Sequence, residues 1–182
     1  IGTYPHELPM FIAAVNGGPR QANYLAMEHW VNVYDGYLGI ALTDSFGSEV
    51  FFKNFSKKHA SLFDGVRQDS GDPLRFIDMA VARYRELGID PMTKTIIFSD
   101  ALDFPRAAEI QKACEGRIRC SFGIGTNITN DTGYPPCNIV MKLSTCRMND
   151  KQQTRKCVKL SDVEGKAMGD PAEIELYRRL LE

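Results

Sequence analysis

Apolar and polar positions alternate along this chain in short blocks, and the block lengths predict the elements. Leu38–Leu42 is a compact apolar run that reads as a buried strand ending at Thr43-Asp44-Ser45, and a helix is expected from Ser48 to Lys58. Phe63–Arg67 predicts a second strand, running into an Asp69-Ser70-Gly71-Asp72 loop. Asp72 then suits an N-cap and Pro73 the first helical position. Leu74, Ile77, Val81 and Tyr84 recur at helical spacing up to Gly88, a suitable C′ residue. Thr95–Phe98 is a third strand ending at Ser99-Asp100, with a helix expected over Pro105–Cys114. Ile118–Phe122 is a fourth, ending at Gly123-Ile124-Gly125-Thr126-Asn127. Residues 138–143 and 156–160 predict a pair of strands joined by a polar loop, and Asp170-Pro171 opens a last helix. An earlier apolar helical run covers Leu8–Val15.

Four strand–loop–helix units in succession argue for an α/β fold with a parallel sheet and right-handed crossovers. A closed barrel needs about eight strands. The expectation is therefore a partial parallel β/α barrel, treated as a single α/β portion over residues 1–182, with an open doubly wound sheet as the alternative. The opening Ile1-Gly2-Thr3-Tyr4-Pro5-His6-Glu7 reads like the interior of a domain, so further sequence is expected upstream.

Composition changes this picture little. The 182 residues are 43% hydrophobic and 25% charged with a formal net charge of −1, so no global field draws the chain to nucleic acid or an anionic membrane. No apolar run approaches the ~20 residues needed to span a bilayer. The five cysteines lack CxxC spacing, which favours reduced, buried thiols over a zinc site. His29, beside Trp30, is expected at the edge of the core, and His59, in a Lys-rich turn, at the surface.

The candidate chemistry gathers at one kind of position, the C-terminal end of each strand, where parallel α/β folds bind ligands. Asp44, Arg67, Asp69, Ser70, Ser99 and Asp100 all occupy it. Carboxylates there suit sugar hydroxyls or a Mg²⁺ that accompanies pyrophosphate, and Arg67 offers a fork for a carboxylate or phosphate. Simple helix capping explains Asp72. The Gly123–Asn127 turn lets backbone approach a ligand closely, and Gly123, Gly125 and Thr126 are candidate phosphate contacts. It is neither a dinucleotide fingerprint nor a Walker loop. His6, followed by Glu7, is a candidate nucleophile, general base or phosphoryl acceptor, against the ordinary structural role of an isolated His.

Taken in order, Gly2-Thr3-x-x-His6-Glu7, Thr43-Asp44-Ser45-Phe46-Gly47, Val66 to Pro73, Ser99-Asp100-x-Leu102-Asp103 and Phe122 to Asn127 resemble the nicotinate phosphoribosyltransferase family. Cys157 to Asp162, with Gly165-Lys166 and Gly169-Asp170-Pro171, looks like its later segment. The resemblance implies the C-terminal portion of an incomplete α/β barrel, whose N-terminal domain and first strands lie outside this chain. It implies phosphoribosyl transfer from phosphoribosyl pyrophosphate to nicotinate, with ATP hydrolysis coupled through a phosphohistidine and Mg²⁺ as cofactor. It places His6 as the phosphorylated residue, and His6, Glu7 and Asp44 as the catalytic group. Arg67 falls near the pyridine carboxylate, Asp69 and Asp100 near the ribose, and Gly125 and Thr126 at the 5′-phosphate. A cytoplasmic homodimer is expected. The alternatives are the nicotinamide enzyme, a different sugar-phosphate barrel enzyme using Lys94, Lys142 or Lys159, and a non-catalytic fragment that keeps the fold.

Overall fold

The computed structural model describes residues 2–130, 132–135, 137, 139–149 and 152–182. Helices α1 (Glu7–Val15) and α2 (Ala22–Tyr34) precede strand β1 (Ile40–Leu42). Two short helices follow, α3 (Ser48–Asn54) and α4 (Lys57–Leu62), before β2 (Gly65–Gln68) and α5 (Pro73–Glu86). Next come β3 (Thr95–Phe98), α6 (Phe104–Cys114), β4 (Arg119–Phe122) and the single-turn helix α7 (Thr126–Thr129). The chain ends with a two-residue strand pair, β5 (Thr145–Cys146) and β6 (Arg155–Lys156), and helix α8 (Pro171–Leu181).

β1 to β4 form one parallel sheet in sequence order, and Thr3 adds a parallel bridge to Ile40 beyond β1. The order never reverses among the described residues. A doubly wound sheet requires a reversal at its switch point, so the sheet grows in one direction only.

The register sorts the side chains onto two faces. Ala41, Val66, Ile96 and Cys120 align across the sheet, and Gln68, Phe98 and Phe122 lie two residues further along the same face. Val66, Ile96 and Phe98 are fully buried in one core with Phe76, Ile77, Ala80 and Tyr84 of α5 and Ile110 of α6. Burying each such side chain contributes about 1.5–3 kcal/mol, which is what fixes the sheet against its helices. Arg67, Ile97 and Ser121 align on the opposite face and remain half-buried. Gly65 is dictated by the pairing itself: a Cβ there would sit 1.8 Å from the Thr95 carbonyl oxygen.

Helix starts follow the expected cap chemistry. Asp72, Asp103 and Asp170 each accept backbone N–H groups at the starts of α5, α6 and α8, each with Pro in the first turn.

Several expectations need correction. The Ser48–Lys58 helix is two helices, because Ser56 turns extended and caps α4 by accepting from His59 N. The strand expected at 138–143 is not found there: residues 139–143 are irregular, Asn138 lies outside the described residues, and β5 falls beyond the expected range; of the strand expected at 156–160 only Lys156 lies in β6. Helix α2, unforeseen, packs against α1. The histidine surroundings are reversed: His29 is exposed, whereas His59 is fully buried with Nε2 2.8 Å from Glu28 Oε1 and Nδ1 3.1 Å from Ser56 Oγ. Of the cysteines, all free, only Cys114 and Cys157 are buried, and Cys137 is exposed.

Candidate active site

Two strand ends and the start of α1 converge on one imidazole, and a third strand end supports them through Ser99. His6 is the N-cap residue of α1 and is 5% exposed. Its Nδ1 lies 3.0 Å from Ser45 Oγ, just beyond β1. Its Nε2 lies 3.2 Å from Asp69 Oδ2, just beyond β2, and 3.6 Å from Asp44 Oδ1. The carboxylates beside the ring are thus Asp69 and Asp44. Glu7, the sequence neighbour, instead points its carboxylate at Lys142 Nζ, 3.4 Å away.

The two carboxylates have different surroundings. Asp69 Oδ1 accepts from Arg67 Nη2 at 2.7 Å and from Ser99 Oγ at 2.8 Å. Burial opposes its charge, but the bonds from His6, Ser99 and the Arg67 guanidinium outweigh it and hold the carboxyl well below the usual range. Asp69 is therefore ionised throughout the physiological range. Arg67 is fixed at a second point by Nε, which donates to Ser99 Oγ at 2.8 Å. Asp69 stands two residues after Arg67, just past the end of β2, and its carboxylate meets the Arg67 guanidinium.

Asp44 is fully buried. Its Oδ2 accepts from Ser70 Oγ at 2.8 Å and from Lys159 Nζ at 3.0 Å, while Oδ1 has no hydrogen-bond partner among the described residues. That oxygen faces the His6 edge. One ligand atom from each of His6, Asp44 and Asp69 lies within 4.8 Å of the others, a spacing that fits a single divalent ion. The two carboxylates of this set, one of them with an unpaired buried oxygen, suit a hard cation such as Mg²⁺.

The remaining expected residues distribute around this centre. Ser99 joins it directly. Ser70 is 3% exposed and its hydroxyl is bonded to Asp44 and to residues 161–162, so it supports Asp44 from behind. Asp100 lies 3.7 Å from Lys166 Nζ. Gly123, Gly125 and Thr126 form an exposed turn at the end of β4, and the space a Cβ would enter at Gly125 is open for 4 Å. Sequence reasoning assigned no role to Lys159 or Asp162 in this centre. Their signal lay in the Lys159-Leu160-Ser161-Asp162 run, whose polar residues lie 115 positions from Asp44 in the case of Lys159.

The family model for the nicotinate phosphoribosyltransferase (NAPRTase) family matches residues 1–182, the whole chain. The chain belongs to this family. It is 55% identical over 181 residues to the nicotinate phosphoribosyltransferase of Chromohalobacter salexigens, covering 100% of this chain and 46% of that relative. The second such enzyme of Pseudomonas aeruginosa is 45% identical over 186 residues, covering 100% of this chain and 45% of the relative. Among solved structures, nicotinate phosphoribosyltransferase from Porphyromonas gingivalis superposes with a TM-score of 0.96 at 57% identity, over all of this chain and 47% of the other. The Vibrio cholerae structure gives 0.87 at 39% identity, again over all of this chain and 44% of the other. The chain thus spans about half the length of the family members it matches. No helix among the described residues is long and apolar enough to cross a membrane.

Proposed function

We propose that this chain carries the catalytic half of a phosphoribosyltransferase that joins nicotinate to the ribosyl carbon of phosphoribosyl pyrophosphate, forming nicotinate mononucleotide and pyrophosphate. The observation that carries this reading is the meeting of His6, Asp44 and Asp69 at the strand ends of a chain matched along its whole length by the family model. The unidirectional strand order and the half-buried Arg67–Ile97–Ser121 face support a partial barrel with its inner face toward the substrates.

The reaction replaces a C–O bond to pyrophosphate by a C–N bond to the pyridine nitrogen, through a ribosyl centre rich in positive charge. Positioning and electrostatics do most of that work. Asp69, held anionic, suits the ribose and its developing cation, and Asp100, next to Ser99 at the end of β3, is read as a second ribose contact. In this reading Arg67, held by Asp69 and Ser99, pairs with the nicotinate carboxylate, and the open Gly123–Thr126 turn receives the 5′-phosphate. Mg²⁺ held by Asp44 and Asp69 would neutralise phosphate oxygens during the transfer.

His6 supplies the coupling to ATP. Two carboxylates face Nε2, so that nitrogen carries the proton and Nδ1 keeps the lone pair. Nδ1 attacks the γ-phosphorus of ATP, the bond to the bridging oxygen breaks, and ADP leaves with the electron pair. The phosphohistidine adds negative charge beside the substrates and can order the loops around them. The enzyme acts as a cytoplasmic homodimer in this reading.

The test is turnover. The full-length protein is given nicotinate, phosphoribosyl pyrophosphate, ATP and Mg²⁺, and nicotinate mononucleotide is measured. The reading expects ATP-stimulated product with nicotinate and far less with nicotinamide. Preference for nicotinamide, or no product from either, overturns it.

A further inference from the structure

We propose that Asp162 is a positioning residue for the His6 centre, capping α3 from 114 residues away at Ser48 and holding the loop that carries Asp44 and Ser45, which Ser70 also braces at Asp44. The proposal rests on the reading of His6 as the reacting group.

Helix α3 begins without a cap of its own. Gly47, its N-cap residue, has no side chain and sits at a φ of +94°. Helices ordinarily satisfy their first N–H groups with a Ser, Thr, Asp or Asn at this position. Here Asp162 does so: Oδ1 accepts the Ser48 N–H at 2.6 Å and Oδ2 accepts the Ser48 hydroxyl at 2.5 Å. Room for it comes from two glycines in left-handed conformation. A Cβ at Gly47 would lie 3.6 Å from Asp162 Oδ1, and one at Gly71 would lie 3.1 Å from Asp162 Cβ. Asp162 thus wedges between the loop after β1 and the loop after β2.

Those loops carry the residues that touch His6. From the same wedge, the Asp162 N–H donates to Ser70 Oγ at 3.2 Å, and Ser70 in turn donates to Asp44 Oδ2 at 2.8 Å. The neighbouring Leu160 N–H donates to the Ser45 carbonyl at 2.8 Å. Ser161 between them takes a φ of +81°, uncommon for a residue with a Cβ. Its hydroxyl donates to Ser70 Oγ at 3.1 Å, one of the contacts that hold this turn. With the Oδ2 side of Asp44 saturated from this direction, Oδ1 is left facing His6 Nε2 and Ser45 Oγ is left facing Nδ1. Asp162 reaches neither ring nitrogen itself, so its effect passes through the loops.

The experiment uses the full-length protein with ¹⁵N-labelled histidine and two variants, Asp162→Ala and Asp162→Asn. Asn keeps the shape and one acceptor for Ser48, so it reports even if the Ala variant does not fold. Wild type is expected to show one His6 tautomer with Nδ1 unprotonated. Asp162→Ala should give a mixed or exchange-broadened His6 ring and slow phosphoryl uptake from ATP by roughly tenfold to a hundredfold, the cost of a displaced catalytic group. Asp162→Asn should fall between, and KM for nicotinate should change less than phosphoryl uptake because Asp162 makes no direct contact with the Arg67 guanidinium. A His6 ring spectrum in the folded variants identical to wild type overturns the proposal. If wild type takes up no phosphate, the phosphoryl role of His6 fails while the ring spectrum still decides the role of Asp162.

Discussion

Replacing Asp69 by Asn removes one charge from the centre while keeping its shape, and its consequences can be worked out atom by atom. The remaining carbonyl oxygen of Asn can still accept from Arg67 Nη2 and Ser99 Oγ, as Asp69 Oδ1 does at 2.7 and 2.8 Å. The new amide then stands where Oδ2 met His6 Nε2 at 3.2 Å, presenting a donor to a donor. The ring relieves this by shifting its proton to Nδ1, where Ser45 Oγ can accept. Losing one member of a fully buried ion pair costs about 3–5 kcal/mol. Here the Asp69 and Arg67 side chains are 22% and 28% exposed, so solvent screens the pair. A loss of about 1–2 kcal/mol is expected instead, equivalent to a Tm lower by about 2–8 °C for a domain of this size.

The sign with pH follows from the depressed Asp69 pKa. A carboxylate held low when folded contributes its full stability above the unfolded value of about 3.9 and loses it as pH falls through the folded one. Thermal unfolding of both proteins should therefore show a constant gap from pH 7 to pH 5 that closes only under strong acid. Histidine ¹⁵N spectra should show Nδ1 protonated in the variant. Equal stability at pH 7, a gap that widens on acidification, or an unchanged tautomer would show that the Asp69 charge neither stabilises the fold nor holds the His6 proton.

Other expectations follow from the same geometry. Gly65→Ala drives a Cβ into the Thr95 carbonyl and should destabilise by about 1–3 kcal/mol or more, read by urea unfolding. Tyr84→Phe removes a buried hydroxyl that has no hydrogen-bond partner among the described residues, and should leave stability equal or raise it by up to about 1 kcal/mol. Burial holds the His59 pKa down against the pull of Glu28, so stability should fall as pH drops below the unfolded value of about 6.5. His59→Gln should flatten that slope in unfolding curves measured from pH 7 to pH 5. Arg67→Lys keeps the charge but loses the planar fork, and should raise KM for nicotinate at least tenfold with a smaller effect on kcat.

Much of this architecture was legible in the chain because its signals are local. Asp72-Pro73 and Asp170-Pro171 announced their helices with two adjacent residues, and the apolar runs at Thr95–Phe98 and Ile118–Phe122 found their strands to within a residue. Collecting the polar strand ends also brought Asp44, Arg67, Asp69 and Ser99 to one place. What failed depends on distant partners. His59 sits among lysines in sequence and is buried by Glu28 and Tyr24 of α2, a helix whose mixed apolar and polar residues left a weak period. Glu7 neighbours His6 in sequence, yet the ring turns to carboxylates 38 and 63 positions on. Asp162 caps a helix with which it shares no local sequence, and a Gly at the cap position was the only clue that the cap had to come from elsewhere.

His6, held by Asp69, Asp44 and Ser45, is proposed as the group through which ATP drives phosphoribosyl transfer. Mass spectrometry of the full-length protein after brief incubation with ATP and Mg²⁺ tests it most directly. One acid-labile, base-stable phosphate is expected on the peptide containing His6, discharged when nicotinate and phosphoribosyl pyrophosphate are added and missing from His6→Ala. No phosphate on wild type, or a phosphate that persists in His6→Ala, would contradict it.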